Sequence, residues 1–90
     1  MLVHLNGQLV AHDQARVSPF DHGYLFGDGV YEGLRSYRYN GQRRIIALSR
    51  HIRRMQRGLD ECRIPFDSKA LAPLSEQLLT ANNLDDAFIY

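Results

Sequence analysis

Two Asn-Gly dipeptides do most to constrain what this chain can become. Asn6-Gly7 lies between the short alternating runs Leu2–Leu5 and Gln8–Ala11, and Asn40-Gly41 lies between Gly29–Tyr39 and Arg43–Ala47. A two-residue type I′ turn needs φ > 0 at both central positions, which asparagine and glycine tolerate best. Each dipeptide therefore predicts a β-hairpin. The connecting stretch Asp13–Asp28 carries Pro19, Gly23 and Gly27 and reads as a loop.

The period then changes. Leu48, Ile52, Met55, Leu59 and Cys62 recur at spacings of three and four, one stripe of a helix. Ser49 is a candidate N-cap, and Ile64-Pro65 ends the helix because the residue before proline avoids the α region. A second stripe, Leu71, Leu74, Leu78 and Ala81, follows a cap at Asp67 or Ser68. Pro73 requires that this helix either start nearby or bend in its first turns. Asn82-Asn83 is a stop that tolerates the left-handed region. Ala87–Tyr90 reads as the start of a strand, cut off after four residues, and so as the edge of a fragment. The expected class is α+β: a mostly antiparallel sheet of two hairpins plus a later strand, with two helices packed on one face.

Composition bounds the function. Ninety residues permit one domain, with a core at the marginal end for folded chains. Lys+Arg total 11 and Asp+Glu total 10, a net charge of +1, which argues against a protein that coats polyanions by bulk charge. A lone cysteine, Cys62, excludes an internal disulfide framework and a cysteine-based zinc site. The start MLVHLNGQLV lacks the pattern of a secretory signal, and no run is long enough to span a membrane, so a cytoplasmic location is expected.

Chemistry could reside in three places. Strict alternation along Gly29–Tyr39 puts Tyr31, Gly33, Arg35, Tyr37 and Tyr39 on one face and Val30, Glu32, Leu34, Ser36 and Arg38 on the other. The first face mixes hydroxyls, a guanidinium and a glycine that admits close approach, which suits a partly apolar anion; alternation alone favours plain strand-forming tyrosines and a solvated Arg35. Phe26-Gly27-Asp28-Gly29 offers free backbone N–H groups but is no phosphate-binding fingerprint, and taken alone it is a tight turn. The first helix carries Arg50, His51, Arg53, Arg54 and Arg57, with Gly58 keeping the neighbouring surface open. Such a face is ordinarily solvated, and an anion site is the functional alternative. Helical geometry does not separate Arg54 from Arg50 or Arg57. His4, His12 and His22 lack ligand-like spacing, so no metal is expected; Cys62 lies on the apolar stripe and reads as core.

Taken in order, Asp21-His22-Gly23-Tyr24-Leu25-Phe26-Gly27-Asp28-Gly29-Val30-Tyr31-Glu32-Gly33-Leu34-Arg35, a glycine hairpin, then His51-x-x-Arg54 resemble the opening of a class IV (fold-type IV) aminotransferase dependent on pyridoxal 5′-phosphate (PLP). The resemblance runs from Leu5-Asn6-Gly7 to Asn83-Leu84-x-x-Ala87-Phe88-Ile89, through essentially the whole chain. It implies the small N-terminal domain of that fold over residues 1–90.

The resemblance also implies roles. Arg54, the arginine of His-x-x-Arg, would bind the PLP phosphate. Tyr31 would face the substrate side of the cofactor and Phe26 would line the substrate pocket, with Arg35 and Tyr37 on or near that face. The family's catalytic lysine lies in a larger C-terminal domain; Lys69 does not match it, so the chain alone is expected to be inactive. Tyr31-Glu32-Gly33-Leu34-Arg35 is similar to the branched-chain group, which implies amino transfer from branched-chain L-amino acids to 2-oxoglutarate. Tyr90, and tyrosine rather than phenylalanine at 31, are closer to the D-amino-acid enzymes, and aminodeoxychorismate lyase is a third relative. A homodimer or higher homo-oligomer is implied. The reading from another class is a non-catalytic anion-binding or interaction module, against which stand the net charge and the absence of aromatics among the helix arginines.

Overall fold

A computed structural model describes residues 1–90. Its order is β1 (Leu2–Leu5), β2 (Gln8–Ala11), α1 (His22–Phe26), β3 (Leu34–Tyr39), β4 (Gln42–Ile45), α2 (Leu48–Glu61), α3 (Leu71–Ala81) and β5 (Ala87–Ile89), with 3₁₀ turns at His12–Gln14 and Ser68–Ala70. The α+β expectation holds. Both Asn-Gly turns form hairpins: Leu5 pairs with Gln8 across Asn6 (φ 50°) and Gly7 (φ 87°), and Tyr39 pairs with Gln42 across Asn40 (φ 49°) and Gly41 (φ 74°).

The two hairpins do not share one sheet. β1 and β2 form a two-stranded sheet of their own, while β4-β3-β5 form a three-stranded antiparallel sheet. Asn82 fastens the first hairpin to α3: its Oδ1 accepts from the Leu2 N–H at 2.7 Å and its Nδ2 donates to the Leu2 carbonyl at 3.0 Å.

Other boundaries moved for local reasons. The expected strand from Gly29 begins only at Leu34, because no neighbouring strand pairs with Gly29–Gly33. The expected loop holds the short α1, capped by Asp21, whose carboxylate accepts from the Gly23 N–H at 2.8 Å. α2 is entered through Ala47 in the left-handed region (φ 52°), so Ser49 lies inside the helix rather than capping it. α2 ends at Glu61, and Arg63 (φ 55°) turns the chain before Pro65. Asp67 caps the 3₁₀ turn that leads into α3, accepting from the Lys69 N–H at 3.0 Å. Pro73 then falls in the first turn of α3, where a missing N–H leaves no bond unmade.

The molecule is a slab of 44 × 30 × 16 Å, about two layers thick. Leu34, Leu79 and Ile89 form its buried cluster, flanked by Ile45, Leu48 and Ala87. Leu59 is buried on α2, but Cys62 is exposed at the end of that helix, correcting the reading of it as core. No fully buried side-chain nitrogen or oxygen lacks a partner: Ser36 Oγ donates to the Asp85 carbonyl at 2.7 Å, and Ser68 Oγ donates to the Ile52 carbonyl at 2.9 Å. Arg43 clamps β4 to α3 and to the approach to β5. It donates to Glu76 at 3.0 Å, Thr80 Oγ1 at 2.6 Å and the Leu84 carbonyl at 3.0 Å.

Candidate functional site

The irregular stretch before β3 lies against α2, and there three side chains converge. Val30 makes the approach possible by sitting over Gly58. A Cβ on Gly58 would lie 3.0 Å from Val30 Cγ1, so this glycine accommodates Val30 rather than leaving open surface. Two residues on, the Glu32 carboxylate accepts from Arg54 Nε (to Oε1) and Arg54 Nη2 (to Oε2), each at 2.6 Å. Its Oε2 is also 2.6 Å from His51 Nδ1. His51 and Arg54, three residues apart on α2, present their polar ends to one carboxylate.

Burial is graded across the cluster. The Glu32 side chain is 8% exposed, that of His51 23% and that of Arg54 63%. Arg54's hydrogen bonds, with help from His51 and against the opposing effect of burial, hold the Glu32 carboxyl down to about 2 from 4.5. The same contact raises the Arg54 guanidinium above its already high value. Glu32 is therefore an anion at any physiological pH. It fixes one edge of the Arg54 guanidinium, Nε and Nη2, while Nη1 donates to no protein atom.

Glu32 also lines a groove of about 360 Å³ that runs between the first hairpin, α2, α3 and the end of β5. Leu71, Leu74, Leu78 and Met55 make its apolar floor. Tyr31 and Tyr90 stand in its wall with ring centroids 5.4 Å apart. Three of the residues singled out in the sequence, Tyr31, Tyr90 and, through Glu32, Arg54, are thus brought to one region. Phe26 and Arg35 are not. Phe26 is exposed on α1 with its ring edge-on to His22, and Arg35 lies 5.1 Å over the Tyr37 ring. Of the expected face Tyr31, Gly33, Arg35, Tyr37 and Tyr39, only Arg35, Tyr37 and Tyr39 lie in the paired strand, which starts at Leu34. What approaches Gly33 closely is the Phe88 ring, 2.8 Å from where a Cβ would be.

Sequence reasoning passed over Glu32 and gave His51 no role of its own. One signal was present: Glu32 has the parity of Leu34 and Ser36, both buried, and a carboxylate on a buried face calls for a cationic partner. Candidate cations are spread along the chain, and only the fold selects Arg54 and His51 among them.

No family model matches the chain. Its similarity to known proteins is nevertheless continuous. A protein of Methanocaldococcus jannaschii provisionally named a branched-chain-amino-acid aminotransferase is 38% identical over 91 residues, 99% of this chain. D-alanine aminotransferase of Staphylococcus aureus is 34% identical over 90 residues, and that of Staphylococcus epidermidis 33%, each over 98% of this chain. The chain is thus akin, along its whole length, to the class IV aminotransferase family that its motifs resemble. It spans 30% of the length of these relatives.

Proposed function

We propose that this chain forms the cofactor-phosphate and substrate-wall portion of a PLP-dependent aminotransferase. One observation supports this most strongly: a buried carboxylate holds an exposed arginine by one edge and leaves its Nη1 without a protein partner. An arginine preorganised in this way loses little freedom when it binds a phosphate monoester. The donor set fits that group, because Arg54 never loses its charge and the Glu32 anion cannot take a proton from the ligand near neutral pH.

In this reading Arg54 holds the PLP phosphate, while Glu32 and His51 position Arg54. Tyr31 and Tyr90 form the substrate-side wall, and their hydroxyls can donate to a substrate carboxylate. The apolar groove beside them excludes water from an aliphatic side chain. When bound, PLP takes up the electron pair left on the substrate when its α-proton departs. The chain's only lysine, Lys69, is exposed on the 3₁₀ turn before α3 and lines neither the groove nor the Arg54 cluster. The proton-moving lysine then belongs to the part of the protein outside these 90 residues, and the isolated chain does not transaminate.

The substrate reading is amino transfer between a branched-chain L-amino acid and 2-oxoglutarate, by a homodimer or higher homo-oligomer in the cytoplasm. D-amino acids are the second reading, because tyrosines at 31 and 90 resemble the D-amino-acid enzymes of the family. The test is the full-length protein with PLP and 2-oxoglutarate, supplied with L-leucine or D-alanine. Glutamate formed from L-leucine supports the first reading, and glutamate from D-alanine alone supports the second. Failure with every amino acid, in a protein that does not bind PLP, removes both. No helix is long and apolar enough to cross a membrane.

A further inference from the structure

Arg50, Arg53 and Arg57 share one face of α2 at spacings of three and four, and all three are exposed. They differ from the other arginines that meet carboxylates. Arg38 pairs with Asp85, Arg43 with Glu76 and Asp85, and Arg54 with Glu32, whereas these three form no ion pair and no side-chain hydrogen bond. With Gln56 they line a concavity of about 510 Å³ that has no hydrophobic residue in its wall. Gln56 is fixed in place: its Nε2 donates to Asp60 Oδ1 at 2.8 Å and its Oε1 accepts from the Ser68 N–H at 2.9 Å. Asp60 is thereby engaged, and the exposed Glu61, four residues after Arg57, forms no ion pair.

The arrangement is electrostatically unfavourable as it stands. Like charges three and four apart on a helix repel. Arg50 lies in the first turn of α2, at the positive end of the helix dipole, where no acidic residue offsets it. A bound anion relieves both effects. Three guanidinium groups call for more than the two negative charges of a phosphate monoester. The lack of aromatics in the wall and the net charge of +1 argue against a nucleic-acid strand.

We propose that this face of α2 is a second anion site, separate from the Arg54 cluster, that takes a condensed phosphate: a diphosphate or triphosphate group, free or carried on a nucleoside. The proposal does not depend on the aminotransferase reading.

Calorimetric titration of the full-length protein with sodium triphosphate, and in parallel with ATP, tests it. Salt is kept low because exposed charges are screened over about 10 Å at 0.1 M. Saturable binding is expected. The double variant Arg53→Gln/Arg57→Gln should weaken it by about tenfold or more, through loss of charge-assisted bonds, while Arg54→Gln changes it by less than about twofold. Equal affinity for the two probes assigns recognition to the phosphate chain alone, and tighter ATP binding adds a nucleoside contact; either supports the site. The replaced side chains are exposed, so an unchanged circular dichroism melt verifies that the variants fold. Absence of saturable binding, binding unaffected by the double variant, or an equal loss in Arg54→Gln would each overturn the proposal.

Discussion

Replacing Glu32 by glutamine removes the charge that holds Arg54 and His51 together. The carboxyl sits at about 2 in the folded chain, against an ordinary value of 4.5. Because the folded value is the lower one, the stabilisation is fully present above about pH 4.5 and is lost as the pH falls towards 2. That drop corresponds to roughly 3 kcal/mol at about 1.4 kcal/mol per tenfold change in proton affinity. Solvent around the 63%-exposed Arg54 side chain screens the pair, so about 1–2 kcal/mol is the figure to expect. Two assays read it. In carboxyl-labelled protein the Glu32 Cδ resonance should titrate near 2, far below the ordinary value of 4.5. Urea unfolding should show Glu32→Gln less stable by about 1–2 kcal/mol at pH 7, with the difference shrinking steadily below about pH 4.5. A midpoint at or above 4, or a stability difference that does not change with pH, would refute the reasoning. A double-mutant cycle with Arg54→Gln should assign about 1 kcal/mol of this to the pair itself.

Three other substitutions test the packing that sets the site. Gly58→Ala gains about 1 kcal/mol of helix propensity. Its methyl group, however, would press on the stiff Val30 at 3.0 Å, so a net loss of about 1 kcal/mol in urea is expected; a net gain would show that Val30 yields freely. Asn82→Ala severs both bonds to Leu2 and should speed hydrogen exchange in Leu2–Leu5 by roughly tenfold, with β3 and β4 unaffected. Uniform acceleration across both sheets would contradict an independent first hairpin. Arg43→Met keeps the stem but loses the bonds to Glu76, Thr80 and Leu84, which should cost about 1–2 kcal/mol in thermal or urea unfolding; an unchanged transition would mean the clamp is idle.

What the sequence made legible was local. The Asn-Gly turns carry their own backbone requirement, and α2 and α3 announce themselves by apolar spacing, so these elements appear where expected, whereas the short α1 has no such stripe. Sheet membership depends on long-range pairing. Nothing within Leu2–Ala11 shows that this hairpin would be held by Asn82 rather than join β3. The residues from Gly29 suit a strand, yet a ladder needs a partner, and there is none before Leu34. Tyr31 therefore lies outside the paired strand that carries Arg35 and Tyr37. Cys62 followed the helical stripe but sits where α2 ends, past the surface that covers it. Arg54 could be singled out only by resemblance. Its physical distinction, a buried carboxylate reaching across from another segment, exists only in the folded chain.

The central claim is that Arg54 binds the phosphate of PLP. The most direct test compares two ligands that differ only in that group, PLP and pyridoxal, by absorbance titration of the full-length protein and its Arg54→Gln variant. PLP affinity should weaken roughly 10–100-fold, the value of a charge-assisted contact, with pyridoxal affinity unchanged. Unaltered PLP affinity, or an equal loss for both ligands, would contradict it.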